Sequence, residues 1–73
     1  MAIVDEIRRL VIVQPFEPFT IVTSARNRYE VVSPDHAHTN PQRTRAIVYF
    51  DDGTYVIASG PHIASVESGE PAV

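Results

Sequence analysis

Apolar residues recur at Ile3, Ile7 and Leu10, with Val4 and Val11 beside them, while Asp5, Glu6, Arg8 and Arg9 occupy the positions between. This i, i+4, i+7 spacing predicts an amphipathic helix over 3–13, acids leading and arginines following as the helix dipole favours. Pro15 ends it by Gln14, since the residue before a proline is pushed out of the helical region. A helix this short is unstable alone in water, so its apolar stripe must dock on the rest of the chain. The following "QPFEPF" reads as a stiff extended connector that anchors Phe16 and Phe19 in or near the core.

Beyond Phe19 the period shortens to two. "FTIVTS" (19–24), "RYEVVS" (28–33), "RAIVYF" (45–50), "TYVIAS" (54–59) and "HIASVE" (62–67) are short runs rich in β-branched and aromatic residues. Ala25-Arg26-Asn27 is a tight turn, with Asn27 suited to a left-handed conformation. "PDHAHTNPQRT" (34–44) has two prolines and no apolar run, and reads as a loop. "DDG" at 51–53 is a hairpin signal, and Gly60-Pro61 breaks the strand pattern because proline cannot donate to a ladder. Residues 68–73 read as a frayed polar tail.

No face of these strands is cleanly polar, which fits a closed sheet better than an open one with a wet side. The expected architecture is therefore mainly β with one N-terminal helix: a five-stranded antiparallel small barrel over 19–67. The corner at Gly60-Pro61 would send the last strand across to close it. Length supports one domain over 1–73, small enough that its stability is marginal and self-association would help.

Composition narrows the chemistry. The chain has no cysteine, so neither disulfides nor thiolate metal sites are available. No apolar run approaches the roughly 20 residues of a membrane span, and the charges within "MAIVDEIRRLVIV" make it a poor secretory signal; a cytoplasmic protein with no membrane partner is expected. The net charge of −3 is uneven: residues 1–25 sum to −1, 26–50 to +2 and 51–73 to −4. All six cations are arginine, the side chain that reads phosphate and carboxylate in a planar fork.

"YVIASGPHIASVE" at 55–67 resembles the strand–turn–strand that ends the Sm-like proteins of the Lsm and Hfq type, with His62, Ile63, Ala64 and Ser65 in the places of a His-Ala-Ile-Ser pattern. "EIRRL" at 6–10 is similar to the helix before the first strand of that family. The element order is also similar to that of SH3-type barrels, which lack the helix. The Sm-like resemblance implies a small barrel whose last two strands join neighbours into closed rings, and binding of single-stranded RNA. In Hfq-type proteins a lysine precedes the histidine of the inner RNA site; here Pro61 stands in that place, so only His62 carries over. "PFEPFTI" at 15–21, "YFDDG" at 49–53 and "IASVE" at 63–67 are similar to a group of short uncharacterised bacterial proteins, a likeness that implies no function.

Catalysis is not expected. The serines lack a glycine-rich nucleophile elbow, there is no phosphate-cradling loop, and Asp51-Asp52 reads as turn chemistry. His36 and His38, with His62 and Asp35, are the only metal-like set; a polar loop is the simpler account, and neither metal nor cofactor is expected. Two binding roles remain. Edge strands that lack Lys and inward charge invite pairing, which makes Tyr55, Val56, Ile57, Ile63 and Val66 candidates for self-association or for contact with another protein. Arg26, Arg28, Arg43 and Arg45, with His62 and nearby Tyr29 and Tyr49, are the candidates for the runner-up, single-stranded RNA binding.

Overall fold

The structure, a computed structural model, describes residues 2–68. Its helix α1 (Ala2–Ile12) is followed by strands β1 (Phe19–Thr23), β2 (Arg28–Val31), β3 (Ala37–Thr39), β4 (Arg45–Tyr49), β5 (Tyr55–Ser59) and β6 (Ile63–Ser68). The helix falls where the apolar spacing places it, one residue earlier at each end. It buries Val4 and Ile7, with Ile3, Leu10 and Val11 partly buried against the core, and it packs on β3, β4 and β6. No described helix is long and apolar enough to cross a membrane.

The single five-stranded barrel expected over 19–67 is not formed. Among the described residues the six strands divide into two separate three-stranded antiparallel sheets, ordered β2-β1-β6 and β3-β4-β5. Two prolines account for the division. Pro34 and Pro61 each begin or sit inside a one-turn 3-10 helix, Pro34–His36 and Gly60–His62. Neither proline has an N–H to give a ladder, and each fixes its own φ. The first turn carries the chain from β2 in one sheet to β3 in the other; the second carries it back from β5 to β6. The run expected as one strand over 28–33 therefore stops at Val31, and the expected loop 34–44 contains a turn and the short β3. The corner at Gly60-Pro61 does send the chain across, but β6 pairs with β1 and leaves β5 at the edge of its own sheet.

Both inner faces feed one core. Phe19 and Ile21 of β1, Val31 of β2, Ala37 of β3, Ala46 and Val48 of β4, Ala58 of β5 and Ile63 of β6 are buried together with Val4 and Ile7. Phe16 packs against this cluster with its ring 6.0 Å from that of Phe19, as the connector reading requires. The tight turn after β1 differs in one detail: the left-handed residue is Arg26 (φ 67°), not Asn27. Thr23 accounts for this, because its N–H donates to the Asn27 carbonyl while its hydroxyl accepts the Asn27 N–H. Of the tail expected to fray over 68–73, Ser68 closes β6 and 69–73 lie outside the described residues.

Candidate functional site

The main chain of β5 sets the site. In an antiparallel ladder, opposed residues alternate between pairs that exchange backbone hydrogen bonds and pairs that do not. Two bonds flanking the β4–β5 ladder fix its phase: Phe50 N–H donates to the Thr54 carbonyl at 2.9 Å, and Gly60 N–H to the Thr44 carbonyl at 2.7 Å. Stepping inward by two, Val48 opposite Val56 and Ala46 opposite Ala58 are the bonded pairs. Tyr55, Ile57 and Ser59 therefore point their N–H and C=O groups away from β4. No other described strand pairs with β5.

The same three residues turn their side chains to the outer face, where Tyr55 is 60% and Ile57 57% exposed. Their neighbours extend an apolar surface. Ile57 lies opposite Ile47, which lies opposite His38, and Tyr55 lies opposite Tyr49. The His38 ring meets the Tyr49 ring edge-on at 5.5 Å, and the Tyr49 and Tyr55 rings are 6.1 Å apart. Arg45 ends this face, opposite Ser59. Of the residues expected to mediate self-association, Tyr55 and Ile57 face solvent and Val56 is half-buried beside them. Ile63 is buried in the core, and Val66 packs against it.

A groove of about 320 Å³ runs between β5 and the turn that joins β1 to β2. Ala25, Asn27, Tyr29, Arg45, Ile57 and His62 are among its walls, and among the described residues no carboxylate lines it. This groove brings Arg45 and His62 together beside Tyr29, but not Arg26, Arg28 or Arg43. Arg28 is held by Glu67 at 2.6 Å, and Arg43 reaches Asp5 at 3.4 Å. Arg26 stands at the tip of the turn, exposed. Arg28 and Glu67 reinforce one another: their hydrogen bond raises the guanidinium pKa and holds the carboxyl below the ordinary carboxylate range.

One cluster escapes sequence reasoning. Ser33 Oγ lies 2.5 Å from His36 Nδ1, and His36 Nε2 lies 2.8 Å from Asp51 Oδ1. With its proton on Nε2, the imidazole donates to Asp51 and accepts from the serine hydroxyl. The set resembles a hydrolytic triad in composition, yet Ser33, His36 and Asp51 line neither the groove beside β5 nor the clefts beside α1 and the connector that follows it. It ties the first 3-10 turn to the β4–β5 hairpin. Only the Ser-Pro-x-His spacing hinted at it, because the Asp51 contact spans 15 residues. His36 is thereby engaged, His38 stacks on Tyr49 and His62 lines the groove; among the described residues no three His, Cys, Asp or Glu side chains are grouped to hold a metal ion.

No family model, curated protein or solved structure matches the chain.

Proposed function

We propose that this chain is a non-enzymatic β module that assembles through its strand edges, β5 foremost. The observation that carries the reading is the row of three main-chain donor–acceptor sets at Tyr55, Ile57 and Ser59 that no described strand pairs, on a strand with no charged residue. Soluble proteins blunt such edges with lysine, proline, bulges or inward charge. β5 has none of these within its five residues, and its exposed Tyr55 and Ile57 widen the apolar surface. Sedimentation equilibrium at micromolar to millimolar protein tests the reading. The expected mass is a multiple of 8.1 kDa; a monomer mass at the highest concentration overturns it.

A second reading, single-stranded RNA binding, is favoured by one observation: Arg45, His62 and Tyr29 share a groove that no acid among the described residues lines. A phosphate on Arg45 and a base on Tyr29 would use it. An electrophoretic shift with labelled single-stranded RNA, weakening steeply with salt and lost in Arg45→Ala, supports this reading; no shift at micromolar protein removes it.

A further inference from the structure

Resting on the edge-assembly reading, we infer that the strand accepted by β5 is the β5 of a second copy, antiparallel and related by a two-fold axis through Ile57. The three outward main-chain sets lie at 55, 57 and 59, symmetric about 57. Placed antiparallel on itself, the strand sets Ile57 opposite Ile57 of the second copy and Tyr55 opposite Ser59 of the second copy. All three pairs are then of the hydrogen-bonded kind, and no outward N–H or C=O of β5 is left over.

The side chains accept the same register. A two-fold contact places each residue against its symmetry mate, so a charge on the axis would face itself. The axis residue here is apolar and 57% exposed, and the strand carries no charge. Six strands then form one sheet with a continuous outer row: His38, Ile47 and Ile57, then the same three of the second copy in reverse. Arg45 lies opposite Ser59, and Ser59 opposite Tyr55 of the second copy. The small serine lets the guanidinium reach over it to that tyrosine ring, a cation–π contact repeated on both sides of the axis. Arg45 has no ion-pair partner among the described residues to compete for it. The edge of β5 forms one wall of the groove, and the turn between β1 and β2 forms the other.

The chain has no cysteine, so a single introduced thiol is a unique label position. In the two-fold sheet the two copies of residue 38 are separated by five strand spacings of about 4.8 Å, about 24 Å in all. Nitroxide-labelled His38→Cys is expected to show a pulsed-EPR distance centred near that value, with a solution mass of twice 8.1 kDa. Ile57→Lys, which sets two ammonium groups face to face on the axis, is expected to be monomeric with an unchanged circular dichroism spectrum. A monomeric parent protein overturns both this inference and the edge-assembly reading. A larger oligomer, a dimer without the distance near 24 Å, or an Ile57→Lys variant that stays assembled overturns the two-fold pairing and leaves assembly by another edge standing.

Discussion

Arg28 and Glu67, 39 residues apart, form an ion pair that crosses the central strand of their sheet diagonally. Arg28 sits on β2 opposite Val22, and Glu67 on β6 opposite Thr20. Val22 and Thr20 share a face of β1, so the two long side chains lie over it. Thr20, a polar residue on the side of β1 away from Phe19 and Ile21, is only 6% exposed. The pair stitches both neighbours across β1 and withdraws one arginine from any anion-binding surface.

Stability should follow that pair's protonation. The Arg28 hydrogen bond holds the folded Glu67 carboxyl below its ordinary value, so the folded state binds the proton less readily than the unfolded chain. The stabilisation is fully present above the ordinary carboxylate pKa and is lost as pH falls through the lowered folded value. Glu67→Gln is expected to lower Tm at pH 7, and the gap to the parent protein should close in acid. A gap that is the same at pH 7 and in strong acid would contradict the pairing. High salt at neutral pH should narrow it as well, because both groups are exposed.

Core and edge should separate cleanly on truncation. Phe19 is fully buried, bridging β1 to the Phe16 connector. Phe19→Ala is expected to cost about 3–5 kcal/mol, enough to unfold a domain this small. Ile57→Ala, by contrast, removes an exposed side chain and should change monomer stability by less than about 0.5 kcal/mol while weakening association. Urea denaturation at low protein concentration measures the first effect, and sedimentation the second.

The β4–β5 hairpin depends on a left-handed glycine. Gly53 has φ 91°, and its missing Cβ would meet nothing within 4 Å. Gly53→Ala is therefore expected to destabilise by about 1 kcal/mol through backbone conformation alone. A D-alanine introduced there by chemical synthesis should restore or exceed the parent stability, since it prefers the positive φ. Loss of stability in the D-alanine protein would show that steric crowding, not conformation, governs the position.

Asn40 organises the turn between β3 and β4. Its Oδ1 accepts the N–H groups of Thr44 and Arg45 at 2.8 and 2.9 Å, and its amide donates to the Thr44 hydroxyl at 2.8 Å. Asn40→Ala strips both backbone donors of their acceptor and is expected to cost about 1–2 kcal/mol. Asn40→Asp keeps the acceptor and should recover most of the loss. Denaturant midpoints of the two variants test this.

Local pattern determined the helix and five of the six strands; β3 lies in a segment that reads as a loop. The 3.6-residue spacing of Ile3, Ile7 and Leu10 specified α1, Phe19 and Ile21 marked the core face of β1, and Asp51-Asp52-Gly53 specified a hairpin, because each signal is carried by neighbours in the chain. Ser33-Pro34 and Gly60-Pro61 were equally visible as breaks. What a break does to strand pairing, however, depends on which strand lies alongside. Only the tertiary structure decided that both breaks are crossings between two sheets, that β6 pairs with β1 and that β5 is the last described strand of its sheet. The same holds for the arginines. Four lay close in sequence, but Glu67 and Asp5, distant along the chain, engage two of them, and only Arg45 was brought beside His62. Hydrophobic period and turn chemistry act over a few residues and are written locally; sheet partnership and ion pairing are settled by whichever distant segment the packed core brings into reach.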